Sequence, residues 1–273
     1  MTEPDEYFLG YRKVEQERLQ RQAQQFAPES NWLFDQIDLP VGARVVEFGC
    51  GPHGCLDLLS ERVGPSGSVV GVERGEEAVA LARKLIAKRG LRNVEILHGD
   101  VRSTGLPQGS FDLVTARLVL VNVPRPEQIV AEAFSLVRPG GWVAFHELDF
   151  GSAGIFHDPP LPALTTLVEL MRTYAERNGI DLFVGRKVPR LLRDAGLIDV
   201  RVNPLIYVYP PGHARRKSLL DIAENLSERV LSQNLITEQA LTDLKRALSQ
   251  HLDNPETLVV GGPFFQVWAR KPE

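Results

Sequence analysis

Glu47, Gly49, Gly51 and Gly54 stand in the stretch VVEFGCGPHG, from Val45 to Gly54. An apolar run that ends on closely spaced glycines describes a strand whose backbone turns tightly. The amides of the following helix then face whatever binds there. Two spacings overlap in this stretch. Gly49-x-Gly51-x-x-Gly54 is that of a dinucleotide turn, whereas Glu47-x-Gly49-x-Gly51 places an acid inside the strand end. A further acid, Glu73, closes the next apolar run twenty-two residues beyond Gly51, suited to ribose hydroxyls under either spacing. Glu47 separates the two. A carboxylate repels a pyrophosphate and attracts a cation, so the ligand expected here is positively charged. On this reading Gly54 completes the dinucleotide spacing only by accident.

Other residues are candidates for chemistry. His146 and Glu147, in FHELDF, lie near the end of an expected strand and are candidate bases. Side chains alternate along a strand, so the two point to opposite faces and Asp149 shares the face of Glu147. His53 adjoins the glycine turn and His157 lies in an expected loop; both are candidates for touching a substrate. Tyr7, Phe8 and Tyr11 form an aromatic set on an expected N-terminal helix. They serve either to pack that helix, to close a lid over an apolar substrate, or to exchange an arm between subunits of a homo-oligomer.

The elements that must position these residues follow from periodicity. Residues 5–26 read as a helix with one apolar side, and Ser30 as the cap of a second. From residue 44 onward, apolar runs ended by Gly or Asp alternate with helical patterns: RVVEFG, SVVGVE, VEILHGD, FDLVTARLVL and WVAFHELDF are strands. This alternation implies a parallel sheet covered on both faces by helices. After Phe150 the alternation loosens. VRVNPLIYVY reads as a sixth strand, residues 214–252 as helical throughout, and PFFQVWARK as a final strand. The expected division is an N-terminal helical extension or lid at 1–39, an α/β core at 40–150, and a remainder at 151–273 whose helical insertions cover the site.

Taken in order, these motifs resemble the class I S-adenosylmethionine-dependent methyltransferases, most closely the ubiquinone/menaquinone-type and natural-product branch. Glu47-Phe48-Gly49-Cys50-Gly51 is similar to the family's first motif, which supports the methionine part of the donor. Glu73 matches the acid that holds the ribose hydroxyls. Asp100 and Val101, in HGDV, match the segment beside adenine. Arg117, after FDLV, falls where the family faces the methionine end, as a carboxylate partner, with Leu118 beside the methyl-donor channel. The resemblance implies a Rossmann-like seven-stranded sheet with an antiparallel last strand. It also implies S-adenosylmethionine as cofactor and S-adenosylhomocysteine as its product. His53 is a departure: the family often has glycine there.

The resemblance and the bulk numbers bound the function. A formal net charge of −4 is not a nucleic-acid footprint. The dense basic cluster HARRKS, His213 to Ser218, reads as a solvated helix end. Cys50 and Cys55 have no metal-ligand spacing and suit a reducing cytoplasm. No apolar run reaches membrane-spanning length. The expected activity is methyl transfer to a small apolar or aromatic metabolite, without a metal. An alternative on the same fold is cyclisation or rearrangement of a terpenoid-like or other natural product. A non-catalytic scaffold is opposed by Glu47, Glu73 and Asp100, and an NAD-dependent oxidoreductase by Glu47 and the ordered later motifs.

Overall fold

The computed structural model describes residues 13–152 and 156–273. The apolar runs form β1 Arg44–Phe48, β2 Ser68–Glu73, β3 Val94–His98, β4 Phe111–Arg117 and β5 Val137–Leu148. With β6 Ile198–Leu205 and β7 Phe264–Arg270 they make one seven-stranded sheet, ordered β3-β2-β1-β4-β5-β7-β6. β7 runs antiparallel to both its neighbours, while β1 to β5 pair in parallel. This is the sheet that the motif order implies.

Alternation along β1 shows why both faces must be covered. Val46 and Phe48 enter one apolar cluster and Val45 the other. Leu33 and Phe34 of α2 (Ala27–Asp35), Leu59 of α3 (Leu56–Val63) and Val79 of α4 (Glu76–Arg89) cover the second face. On the first face lie α5 (Pro126–Leu136) and α7 (Val184–Asp194), whose buried residues join that cluster. α6 (Pro162–Arg177), α8 (Ser218–Ser232) and α9 (Glu238–Asp253) pack on one another as a helical cap. α1 (Lys13–Gln25) folds back onto the cap, where Asn225 of α8 donates to the buried Glu15 carboxylate at 2.7 Å.

The chain runs from β1 outward to β3, then returns to β4 beside β1 and continues to the other side. A crevice opens at such a reversal, beyond the carboxyl ends of β1 and β4. The glycine turn and Arg117 emerge there.

Three expectations differ in detail. Ser30 does not cap the second helix but lies inside α2, whose N-cap is Phe26. Residues 214–252 are two helices. Asn234 adopts φ 53° between them, a conformation that Asn tolerates, and the Thr237 hydroxyl accepts from Ala240 N at 3.2 Å to start α9. The sixth strand covers Ile198–Leu205; the chain then leaves the sheet and makes an isolated Val208–Val260 bridge outside it. Pro204 is tolerated because β6 is an edge strand. The aromatic set Tyr7, Phe8 and Tyr11 lies outside the described residues.

Candidate functional site

Gly49, Gly51 and Gly54 all have positive φ, at 57°, 55° and 54°. A Cβ on Gly49 would stand 2.6 Å from a Val119 methyl. One on Gly54 would stand 2.6 Å from each Glu47 carboxylate oxygen and 2.8 Å from the Cys50 carbonyl. Gly54 is therefore required by the turn, which corrects the expectation that it is incidental. The space beside Gly51 is open, with Leu19 of α1 the nearest atom at 3.8 Å.

Two acids fasten this turn. Both oxygens of Glu47 accept from Cys55 N, at 2.7 and 2.9 Å. Burial pushes the Glu47 carboxyl up to about 7, against the pull of the Arg117 guanidinium. Glu73 accepts from Gly51 N at 2.9 Å and Gly75 N at 2.7 Å, and burial raises it as well. A carboxylate has roughly four lone-pair sites, so Glu73 keeps capacity for further donors. The Cys50 and Cys55 thiols are buried and free, and burial raises both, Cys55 to about 12. They remain thiols.

A cavity of about 250 Å³ runs from this turn to the cap. Every residue expected to hold the cofactor lines it: Glu47, Gly49, Cys50, Gly51, Glu73, Asp100, Val101, Arg117 and Leu118. Arg117 donates to the Ser30 hydroxyl at 2.9 Å and to the Gly54 carbonyl at 3.2 Å. Leu118 sits at φ 56°, an uncommon conformation for a bulky residue. Asp100 is held in a fork by Arg102, which keeps its carboxyl below the usual range.

The remaining candidates are dispersed. Glu147 does not reach the cavity wall. Its carboxylate is fully buried and accepts from the amides of Val119, Leu120 and Val121 at 2.9, 3.0 and 3.2 Å. Burial still pushes it up to about 7. Its place is to hold the turn after β4, not to meet a substrate. His146 lies on the opposite face, packed against the Phe26 and Phe264 rings at 5.4 and 5.5 Å. Neither of its ring nitrogens has a partner among the described residues, and burial, with Arg117 and Arg215 nearby, pushes it down to about 3. His53 points away from the cavity, to Asp57 at 3.3 Å and a groove between α1 and α4. The structure thus places His53 at the helix start, away from any substrate in the cavity. His157 does line the cavity; its Nδ1 lies 3.2 Å from His251 Nε2 across stacked rings. Burial and the neighbouring His251 push it down to about 4.

The basic cluster was misjudged by sequence reasoning. Arg215 and Arg216 are only 7% and 5% exposed and both line the cavity. Arg216 donates to the carbonyls of Leu252, Tyr209, Asn254 and Thr257. Arg215 stacks on Phe26 and reaches the Gln25 carbonyl and Glu29. Phe26 and Gln16 of the leader also line the cavity and were not singled out. The only available signal was an arginine pair beside an aromatic run, which does not reveal burial.

S-adenosylmethionine fits this cradle. The turn leaves open space at Gly51, the Glu47 acid stands on the cavity wall, Glu73 has free acceptor capacity for a diol, and Arg117, beside the Glu47 carboxyl, donates only to the Ser30 hydroxyl and the Gly54 carbonyl.

Comparisons with known proteins follow the same line. A Streptomyces fradiae protein, an uncharacterized 37.1 kDa protein in transposon TN4556, is 31% identical over 236 residues, covering 85% of this chain. The chain spans 62% of that relative's length. The demethylmenaquinone methyltransferase of Geobacillus kaustophilus is 28% identical over 184 residues, 63% of this chain and 78% of that protein. A solved structure of Haemonchus contortus phosphoethanolamine N-methyltransferase 2, bound to S-adenosylhomocysteine, shares the fold. Its TM-score is 0.59 at 16% identity, over 90% of this chain and 53% of the other. The model of the methyltransferase domain family matches residues 40–196, more than half of the sequence, and the chain belongs to that family.

Proposed function

We propose that the protein is an S-adenosylmethionine-dependent methyltransferase whose acceptor is a small apolar or aromatic metabolite. The observation that carries this is the single cavity that joins the acid-fastened glycine turn to a helical cap. The bound donor would supply an electrophilic methyl on a sulfonium. The chain's own residues mainly align and enclose. Glu73 would accept from the ribose hydroxyls and Asp100 from the adenine amine. Arg117 would hold the methionine carboxylate. Glu147 acts indirectly, by fixing the turn from Val119 to Val121 at the mouth of β4. The leader helix α1 and the cap shield the cavity from water, which strengthens the electrostatics inside.

The size of the cavity and the apolar surface of Val101, Val119, Leu148 and Phe264 on its wall support a small apolar acceptor. No helix among the described residues is long and apolar enough to cross a membrane. The free, buried thiols accord with a cytoplasmic setting.

Calorimetry with S-adenosylhomocysteine and with NAD tests the proposal. Binding of the former alone is expected. Glu73→Ala should weaken it by about tenfold or more, the worth of one hydrogen bond to a charged acceptor. Tight NAD binding with no response to S-adenosylhomocysteine would reject the reading.

A further inference from the structure

The two adjacent arginines of the turn before α8 have different surroundings. Arg216 is surrounded by backbone carbonyls that use its guanidinium in several directions. Arg215 has a single backbone carbonyl among its partners, with Glu29 and the Tyr209 side chain beside it. Its guanidinium carbon lies 3.7 Å from the Phe26 ring centroid and 5.5 Å from that of Tyr207. One amino group reaches the Gln25 carbonyl and the Glu29 carboxylate, the latter at 3.1 Å. Its Nε is buried and has no acceptor among the described residues. A guanidinium donates five N–H bonds in a fixed fork, and a buried one left unmatched is costly.

The same Phe26 ring carries a second guanidinium. Arg117 lies 5.9 Å from its centroid, on the side of the glycine turn, where it touches the Gly54 carbonyl. One aromatic ring thus joins a cation at the donor end to a cation at the cap end. His146, at the edge of this ring, is held neutral by burial and by both arginines. Among the described residues Glu29 is the one carboxylate within ion-pair distance of Arg215, and it meets a single amino group. Two cations on one aromatic ring of the cavity wall describe a place for an anion with an aromatic or conjugated body.

We propose that Arg215 is the acceptor-binding cation, and that the cavity takes a small conjugated acceptor whose acidic hydroxyl, a phenol or an enol, is bound as its oxyanion against Phe26. This rests on the reading of the cavity as a methyl-transfer site. It assigns the two guanidiniums different charges to hold: Arg117 the donor's carboxylate, Arg215 the acceptor's oxyanion. It also accounts for the positions of Glu147 and His146, neither of which lines the cavity. An acceptor that has already lost its proton to solvent needs no general base. In the step itself an oxygen lone pair forms the O–CH3 bond as the S–CH3 bond breaks. That bonding pair returns to sulfur, so the oxyanion becomes an ether and the sulfonium a neutral thioether. Opposite charges annihilate in a water-poor cavity, which favours the transfer.

The test uses the full chain loaded with S-adenosylhomocysteine and two probes that share one ring system. One is 2-hydroxy-1,4-naphthoquinone, ionised at neutral pH; the other is its neutral 2-methoxy ether. The wild type should bind the ionised probe about tenfold or more tightly than the ether, the effect of one charge-assisted hydrogen bond. Arg215→Gln should abolish this preference while keeping its affinity for S-adenosylhomocysteine. Arg215→Lys, which keeps the charge but not the fork, should retain part of it. If Arg215→Gln fails to bind S-adenosylhomocysteine, the lysine variant decides: full retention of the preference overturns the proposal. Equal binding of the two probes by the wild type, or an undiminished preference in Arg215→Gln, also overturns it and leaves the methyltransferase reading intact. Failure of the wild type to bind S-adenosylhomocysteine overturns both.

Discussion

Three buried acids near the strand ends serve the site differently because their partners differ. Glu47 and Glu73 close the glycine turn, and Glu147 closes the turn after β4. Glu147 receives three amides yet remains pushed up to about 7, because no cation accompanies it into the core. Its neutral form is favoured by folding. The stability it contributes is therefore fully present below its ordinary value of 4.5 and is lost as pH rises through about 7. Glu147→Gln carries no charge to lose. Its stability relative to wild type should improve by about 3 kcal/mol between pH 4.5 and pH 8, measured by urea unfolding at each pH. Parallel stability curves for the two proteins would remove this account of Glu147. At this scale the sequence revealed Glu47 and Glu73 because spacing alone ties them to a glycine turn. It misjudged Gly54, whose need for glycine comes from a side chain seven positions upstream folded against it. It could not orient His53, because its partner Asp57 is itself held by Arg89 from the end of α4, distant in sequence.

The elements show a similar division. Strands β1 to β5 were readable because a buried parallel strand is a short apolar run between breakers. The break between α8 and α9 was marked only by Asn234, which tolerates positive φ, and Thr237, a cap residue, with no glycine or proline beside them to stop the helical pattern. The loop of the cap depends on Arg216, whose stem crosses from the turn before α8 to the residues that end α9. Arg216→Met keeps the stem and removes the donors. It should destabilise the protein by about 2–4 kcal/mol, since several buried carbonyls lose partners worth roughly 1 kcal/mol or more each. An unchanged denaturation midpoint would show that water replaces the guanidinium without cost.

In the whole molecule, the leader and the cap meet over a strand-end crevice that neither could enclose alone. Leu19 of α1 stands over Gly51, while Glu15 is tied to Asn225 and Glu29 to Arg215. The described part of the leader is thus engaged with its own chain. A ligand on Gly51 would touch α1 and stabilise its closed position. Saturating S-adenosylhomocysteine should slow amide hydrogen exchange in residues 13–25 by about tenfold or more, as binding linkage requires of a segment that closes on the ligand. Protection confined to the glycine turn, with α1 unchanged, would show that the helix is not part of the enclosure.

The sequence by itself determined the strand–helix alternation, the acid-bearing glycine turn and the order of motifs after it. These are local properties: periodicity, breakers and spacing act over a few residues. Only the tertiary structure decided which groups share the cavity. It withdrew Glu147 into the core, turned His53 outward, and brought Arg215 from a segment that reads as solvated to within 3.7 Å of a leader phenylalanine. The physical reason is that the burial of a charge depends on partners distant in sequence. The acceptors for Arg215 and Arg216 come from the leader, the turn before α8 and the end of α9, and no local pattern announces them.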